Sequence, residues 1–243
     1  MRITRLYHPG TLHCGSTTQL DKNTSSHLVR VLRTKIKSPV ILFNGDGYDY
    51  SCLTLDDNHN KTLLSIESKS KTNTESNLSI TLIQGLSRQD RMETTIQKSV
   101  ELGVTKIIPV LCQRSNTRLT EEKKIKKLEH WRKVAISACE QSGRSIIPQL
   151  ADISPFNHIK SLLDSDALKI MLNPEAGCSL KNTAFNGQPI EVFIGPEGGL
   201  KEDEISFLHE HQFTNISFGP RILRTETAGP AVISALQLLW GDF

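Results

Sequence analysis

The chain has 243 residues, a formal net charge of +3 and ordinary shares of apolar and charged residues, compatible with one large domain or with a small and a medium one. So small a net charge does not by itself indicate a nucleic-acid partner. No apolar run approaches the roughly 20 residues of a membrane span and the N-terminus lacks the apolar core of a signal peptide, so we expect a cytoplasmic protein without a membrane partner.

The first 70 residues are predicted to form a β-rich domain. Four segments alternate or are apolar, and an Asn44-Gly45-Asp46-Gly47 hairpin turn separates the second from the third. A short helix from Ser25 to Arg33, capped by serine, is predicted to place Leu28, Val31 and Leu32 on one face. The predicted strands are residues 2–8, 40–43, 48–55 and 62–66.

A polar, non-periodic stretch over residues 68–77 predicts a linker, which we place at 71–77 between domains of residues 1–70 and 78–243. Strands and helices alternate beyond it, which is typical of an α/β domain. The predicted strands are residues 78–84, 106–112, 148–150, 168–172, 190–194 and 214–218. The predicted helices are residues 91–102, 121–142 and 231–240, with a further helix start at Ser154-Pro155.

The sequence Gly195-Pro196-Glu197-Gly198-Gly199 lies between a predicted buried strand and the acidic start of a helix. Ligands of open α/β sheets bind at such carboxyl ends of strands. The glycine spacing is neither that of a Walker A loop nor G-x-G-x-x-G, which disfavours a phosphate cradle. A simple turn remains the alternative to close backbone approach by a ligand such as adenine.

The stretch from Phe218 to Ala228 places Arg221, Arg224, Glu226 and two threonines before an apolar helix. One interpretation is helix capping, with Thr225 or Thr227 as N-cap and Glu226 near the positive helix end. Capping alone does not need both arginines, whereas a site for an anionic or polar substrate uses them directly.

Positive charge is unevenly distributed along the chain. Residues 22–44 include Lys22, Arg30, Arg33, Lys35 and Lys37 without an acid, and a second basic cluster covers residues 114–144. A solvated face and an anion-binding face are both compatible with the first cluster. For Lys98 and Glu101, on the helix of residues 91–102, we favour an ordinary charged outer face.

Three further patterns bear on ligands and assembly. The five cysteines are odd in number without a C-x-x-C pair, and the histidines lack zinc-ligand spacing, so we expect reduced, buried thiols and no metal. The final predicted helix is apolar on nearly every side. Such a helix lies either deep in a domain or in a subunit interface.

Together these motifs resemble the ribosomal RNA small subunit methyltransferase E family, the 16S rRNA uridine-N3 methyltransferases of the SPOUT class. The similarity extends over nearly the full length, and the last two motifs are highly specific. The motifs are Tyr7-His-Pro-Gly10, His27-Leu-Val-Arg-Val-Leu-Arg33, Lys98-Ser-Val-Glu-Leu-Gly103, Gln141-Ser-Gly-Arg144, Ile194-Gly-Pro-Glu-Gly-Gly199 and Gly219-Pro-Arg-Ile-Leu-Arg-Thr-Glu-Thr-Ala228.

This resemblance implies a trefoil-knotted SPOUT-type α/β domain, an N-terminal PUA-like β-barrel for RNA binding, and a homodimer. It implies S-adenosyl-L-methionine as cofactor and, as substrate, a specific uridine in the decoding region of 16S rRNA in the assembled small subunit. The implied cofactor-binding residues are Leu172, Asn173, Pro174, Ile194, Gly195, Pro196, Glu197, Gly198, Gly199, Phe218, Gly219, Ile222, Leu223, Arg224, Thr227 and Ala228.

For catalysis we consider Arg221, Arg224 and Glu226. One arginine would stabilise negative charge on the uracil carbonyls, while Glu226 either accepts the N3 proton or orients an arginine. The candidate RNA contacts are His27, Arg30, Arg33, Lys98, Arg114 and Arg144. The alternatives are a non-catalytic RNA-binding or ribosome assembly factor and methylation of another RNA site.

Overall fold

The computed structural model describes residues 3–115, 119–173 and 176–243, and it divides into two compact units. The first consists of Met1–Glu75 with Cys139–Ile147, and the second of Ser76–Ala138 with Pro148–Phe243. The sequence analysis placed all of residues 78–243 in the second domain, so the grouping of Cys139–Ile147 with the first unit is an unexpected feature of the chain.

The first unit is built on a five-stranded sheet of order β1-β3-β4-β5-β2. β1 and β3 are parallel and the other pairs are antiparallel. The short strand β2 was not predicted. The strands are β1 (Thr4–Tyr7), β2 (Thr17–Gln19), β3 (Pro39–Phe43), β4 (Tyr48–Thr54) and β5 (Leu63–Lys71).

The strand β5 includes residues 68–71, which the sequence analysis assigned to the start of the polar linker. Their side chains are exposed, while their backbones pair with Tyr48–Ser51 of β4. Polarity therefore does not exclude a strand here, because ladder hydrogen bonds rather than apolar side chains hold this end of the hairpin.

The predicted helix of residues 25–33 begins earlier and is of a different kind. α1 (Lys22–Ser26) is capped by Asp21, whose side chain accepts from the backbone of Asn23 and Thr24, and a π-helical turn follows over His27–Val31. Ser25 is not the cap; it is buried and its hydroxyl accepts from the Thr62 amide at 2.9 Å. Because a π turn advances each residue through a smaller angle, Leu28 is buried but Val31 and Leu32 are exposed.

The segment Cys139–Ile147 is anchored within the first unit by buried polar contacts. The Tyr7 amide donates to Glu140 Oε1 at 2.9 Å, and Arg5 Nη2 donates to Ser145 Oγ at 2.9 Å. Burial raises the pKa of Glu140. Arg144 Nη2 lies 2.6 Å from Glu75 Oε2, and its side chain is only 3% exposed. This burial assigns Arg144 a structural ion pair with Glu75, and its contact with RNA stays a prediction.

In the second unit, six strands form a parallel sheet of order β12-β10-β11-β6-β7-β8, and β9 also pairs with β7. The central strand β11 is buried along its whole length, as expected for a sheet covered on both faces. The strands are β6 (Ile80–Gly85), β7 (Lys106–Leu111), β8 (Gln149–Leu150), β9 (Ser154–Pro155), β10 (Leu168–Leu172), β11 (Ile190–Ile194) and β12 (Thr214–Ile216).

The helices of this part of the chain are α2 (Gln89–Glu101), α3 (Glu121–Ser142), α4 (Glu202–Glu210) and α5 (Thr225–Trp240), with 3-10 turns at Phe156–Leu162 and Leu180–Asn182. Ser154-Pro155 forms strand β9 and leads directly into the 3-10 turn of Phe156–Leu162, whose N-cap is Pro155 rather than Ser154. The last helix begins at Thr225 instead of residue 231 and continues through Gly229 and Pro230. A Cβ on Gly229 would lie 3.5 Å from Leu82, an ordinary van der Waals distance, so the helix packs closely on β6 here.

Cys52, Cys112 and Cys139 are buried as expected, whereas Cys14 is exposed and Cys178 is half-buried. Burial raises the pKa of Cys52 and of Cys139 to about 11, so these thiols stay protonated near neutral pH. Within the described ranges, no helix is long and apolar enough to cross a membrane.

We expect Arg144→Ala to lower the free energy of unfolding by about 3 kcal/mol, because it removes one member of a mostly buried ion pair. Urea denaturation measures the change. Arg132→Ala, an exposed arginine of α3, is the matched control and is expected to change stability by less than about 0.5 kcal/mol. Equal stability of the two variants would contradict a structural role for Arg144.

Candidate functional site

A cavity of about 760 Å³ lies at the carboxyl ends of β10, β11 and β12. Its size is typical of a small-molecule site. Parallel strands bring their following loops to one edge of the sheet, so segments distant in sequence meet here. The predicted site residues that line the cavity are Leu172, Asn173, Ile194, Gly195, Pro196, Glu197, Gly199, Phe218, Arg221, Ile222, Leu223, Arg224 and Ala228.

Other predicted site residues lie nearby without lining the cavity. In the part of the chain that the structure describes, these are Gly198, Gly219, Glu226 and Thr227. Pro174 lies outside the described residues. The cavity is also lined by residues that the sequence analysis did not assign to a cofactor site, namely Arg91, Arg114, Met171, Leu200, Ile205, Asn215, Ile216 and Thr225.

The Gly195–Gly199 loop turns sharply and packs directly against the end of β6. The Gly199 amide donates to the Pro196 carbonyl at 2.9 Å, and Gly199 has a φ of 71°, which favours glycine. A Cβ on Gly85 would lie 2.6 Å from the Pro196 backbone nitrogen. Glycine at position 85 therefore allows the two backbones to meet.

The start of α5 differs from the capping interpretation. Arg224 is the N-cap and makes no side-chain capping bond, so neither Thr225 nor Thr227 is the cap. The Thr225 side chain is buried instead, where its hydroxyl donates to the Gly195 carbonyl at 3.0 Å. Gln84 Nε2 donates to the same hydroxyl at 2.8 Å.

Charged side chains form a network beside the cavity. Arg91 Nη1 lies 2.8 Å from Glu197 Oε1, and Arg91 Nε lies 3.8 Å from Glu226 Oε1. Arg224 Nη1 is 4.0 Å from the same Glu226 oxygen, and the Arg224 side chain is 77% exposed. Glu226 thus lies between two guanidinium groups, one on the helix α2 and one at the cavity rim.

Sequence reasoning missed Arg91, although one signal was available. Arg91 is in the first turn of α2, where the helix dipole disfavours a cation. A basic residue at this position is compensated by acidic partners elsewhere, here Glu197 and Glu226. Those partners are more than 100 residues away in sequence, so periodicity could not identify them.

The candidate RNA contacts fall into different environments. His27, Arg30 and Arg33 are exposed in the first unit. Lys98 is exposed and its ammonium lies 3.0 Å from Glu101 Oε1, in agreement with an ordinary charged helix face. Arg114 lines the cavity of the second unit and donates to the Gly198 carbonyl at 3.3 Å.

Chemically, the cavity combines an apolar wall with backbone polar groups and a cationic rim. Ile194, Leu223 and Ile216 supply apolar surface, while Arg221 and Arg224 belong to the exposed rim. This combination suits a ligand with a flat apolar part beside a polar or anionic group. No group of three or more His, Cys, Asp or Glu in the described ranges is placed to hold a metal ion.

Comparison with known proteins gives two family matches. Residues 74–237 match the model of an RNA methyltransferase domain, and residues 20–53 match that of an RNA methyltransferase PUA domain. Ribosomal RNA small subunit methyltransferase E from Buchnera aphidicola of Schizaphis graminum is 35% identical, covering 99% of this chain and 98% of the relative. The same enzyme from Buchnera aphidicola of Acyrthosiphon pisum is 33% identical, with coverages of 100% and 96%.

Solved structures are similar over the whole length. Ribosomal RNA small subunit methyltransferase E from Neisseria gonorrhoeae, bound to S-adenosylmethionine, has a TM-score of 0.93 at 37% identity, with 100% of each chain covered. A methyltransferase from Legionella pneumophila in complex with the same cofactor has a TM-score of 0.96 at 34% identity, again with 100% of each chain covered.

The close approach of the Gly85 and Pro196 backbones can be tested by adding one methyl group at position 85. Gly85→Ala is expected to cost about 1–3 kcal/mol of stability, because the new Cβ would overlap the backbone of Pro196. Thermal and urea unfolding measure the loss. Gly177→Ala is the control, since a Cβ there meets nothing within 4 Å. A Gly85→Ala protein as stable as this control would show that the loop moves away freely.

Proposed function

Because the chain belongs to the ribosomal RNA small subunit methyltransferase E family, we propose that it transfers a methyl group from S-adenosylmethionine to N3 of a uridine in the decoding region of 16S rRNA. The proposed substrate is the assembled small subunit in the cytoplasm. The observation that carries the proposal is the cavity at the carboxyl ends of β10–β12, formed by the same loops that carry the family motifs. The fold is of the SPOUT class with a PUA-like N-terminal domain, and the trefoil knot of that class is part of the proposal.

The residues present fit S-adenosylmethionine. Apolar side chains such as Ile194 and Leu223 would hold the adenine ring, and the Gly195–Gly199 backbone would reach its polar edge. Glycines at three of the five positions leave part of that backbone without side chains, and Gly199 takes a backbone conformation that other residues rarely adopt. Leu172 and Asn173 line the same cavity from the end of β10.

When bound, the cofactor supplies an electrophilic methyl group on a sulfonium. The protein must then position N3 of uracil in line with that methyl group and stabilise the negative charge that forms as N3 loses its proton. Arg221 and Arg224 are both exposed at the cavity rim, where an incoming base would meet them. We assign the charge-stabilising role to this pair.

Of the two roles considered for Glu226, orientation of an arginine is the better supported. Its Oε1 atom lies within 4.0 Å of both Arg91 and Arg224. A carboxylate at this position would attract the exposed Arg224 guanidinium group and favour one orientation of it. The proton of N3 would then leave to water or to another acceptor at the open rim.

For rRNA recognition we propose the exposed residues of the first unit. His27 and Arg30 lie in the π-helical turn and Arg33 follows it. The apolar side chains of Val31, Leu32 and Ile36 are exposed in the same stretch. Arginines there would contact phosphates, and the apolar groups would contact exposed bases or sugars. Lys98 remains a candidate contact, with Glu101 as its competing partner.

The function is tested by the reaction product. Purified protein should methylate small subunits from a strain lacking the gene, and nucleoside mass spectrometry should detect N3-methyluridine. Glu226→Gln should lower kcat by up to about 5-fold, the factor that corresponds to the roughly 1 kcal/mol of an exposed ion pair, because Arg224 loses its orienting charge. A protein that binds RNA but does not bind the cofactor or transfer a methyl group would support the alternative of a non-catalytic assembly factor. A different methylated nucleoside would correct the target atom.

The end of α5 is consistent with the proposed homodimer. Val232, Ile233 and Leu236 are fully buried within the unit, whereas Leu238 and Leu239 are 70% and 43% exposed. Trp240 stacks on Phe185 within the same unit, with 4.6 Å between the ring centroids. Ile222, beside the cavity, is 83% exposed. A second copy that covers these apolar residues would place its surface next to the active site.

The dimer is tested at the exposed leucines. Leu238→Glu with Leu239→Glu should give monomers in analytical ultracentrifugation and should reduce methyl transfer together with dimerisation. The control is Leu55→Glu with Leu63→Glu, a pair of exposed leucines in the first unit that are 45% and 37% exposed. A monomeric double variant with full activity would show that one subunit holds a complete site.

A further inference from the structure

A buried glutamine and a buried threonine connect three separate segments at the cavity. Gln84, near the end of β6, is 0% exposed. Its Nε2 donates to Thr225 Oγ1 at 2.8 Å and to the Gly85 carbonyl at 3.0 Å. Thr225 Oγ1 in turn donates to the Gly195 carbonyl at 3.0 Å. The chain of bonds therefore joins β6, the loop after β11 and the first residue of α5.

The chemistry of the threonine hydroxyl makes this arrangement directional. A hydroxyl has one proton to donate and lone pairs to accept. Here the proton is directed to Gly195, because the Gln84 amide nitrogen can only donate. The glutamine thereby fixes which way the hydroxyl points, and the hydroxyl fixes the position of the Gly195 carbonyl.

Burying the glutamine has an energetic cost that packing alone does not justify. Gln84 Oε1 is buried and has no hydrogen-bond partner among the described residues. An unsatisfied buried acceptor destabilises a fold, and an apolar side chain of similar shape would avoid that cost. The amide is explained by what its nitrogen donates to, rather than by filling of space.

The bonded atoms belong to the segments that would hold the cofactor and the substrate in the proposed reaction. Gly195 begins the loop that would hold the cofactor, and Thr225 lies between Arg224 and Glu226. We propose that Gln84 and Thr225 are positioning residues, which set the separation between the Gly195–Gly199 loop and the Arg224–Glu226 segment. This inference rests on the proposed function, because it assigns the two segments to cofactor and substrate.

A matched pair of substitutions separates hydrogen bonding from packing. Thr225→Val keeps the shape of the side chain and removes the hydroxyl, whereas Thr225→Ser keeps the hydroxyl and removes a methyl group. Calorimetry is expected to show the Kd for S-adenosylmethionine rising roughly 5- to 150-fold in the valine variant, the factor that corresponds to a lost buried hydrogen bond. The serine variant is expected to retain most of the affinity.

Hydrogen exchange of the cofactor-free protein gives a second readout. Thr225→Val should increase exchange in peptides that contain Gly195–Gly199, and Thr225→Ser should not. Gln84→Met should produce a weaker increase, because Thr225 can still donate to Gly195. The valine and methionine changes should be non-additive when combined, since they act on one network.

The outcomes are distinguishable. If the valine variant folds with wild-type exchange and wild-type Kd, the positioning role is wrong. If serine is as impaired as valine, the methyl group and not the hydroxyl matters, and the role is packing. If the wild-type protein does not bind S-adenosylmethionine, the proposed function fails, while the exchange experiment still decides whether Gln84 and Thr225 hold the loop.

Discussion

The contact between Gly85 and Pro196 is the constraint on which the candidate site depends. Neighbouring parallel strands β6 and β11 end side by side, so the loops that follow them compete for the same space. With no side chain at Gly85, the Pro196 backbone can approach to a distance that any Cβ would prevent. The loop then folds over the end of the sheet, and the cavity opens between it, β10 and the start of α5.

Charged side chains determine the electrostatic character of the cavity that these backbone segments form. Four arginine side chains line the cavity, namely Arg91, Arg114, Arg221 and Arg224. The carboxylates of Glu197 and Glu226 balance part of their charge. Arg91, which lies 2.8 Å from Glu197, is partly buried, while Arg221 and Arg224 are exposed at the rim. The exposed guanidinium groups are therefore available to an anionic partner such as RNA.

The sequence predicted correctly those helices and strands that are marked by a pattern within the element itself. Glu121–Ser142, Leu168–Leu172 and Ile190–Ile194 have the predicted bounds, because a periodic or apolar run ends at a clear break. The π-helical turn was not predictable, since its wider spacing moves Val31 and Leu32 away from the face that buries Leu28. The charged residue Arg144 shows the same limit of prediction from local sequence. Its partner Glu75 lies 69 residues away in the sequence, and composition cannot distinguish a paired arginine from a solvated one.

The family motifs identified most of the cavity, but not the contacts that hold it together. Gln84 and Arg91 had no assigned role and Thr225 was considered only as a helix cap, because each acts through a partner in another segment. Glycine spacing and hydroxyl-rich loops indicate where a ligand approaches. They do not indicate which buried side chains keep two loops at a fixed separation, since that depends on tertiary packing.

The single helix α5 connects the cavity with the exposed leucines near the end of the helix. Its 16 residues extend about 24 Å, from Thr225 beside the cavity to the exposed leucines near its end. A helix does not absorb displacement along its axis as a loop would. Because one continuous helix carries both sets of residues, a partner bound at Leu238 and Leu239 would contact the same element that begins with Thr225 at the cavity.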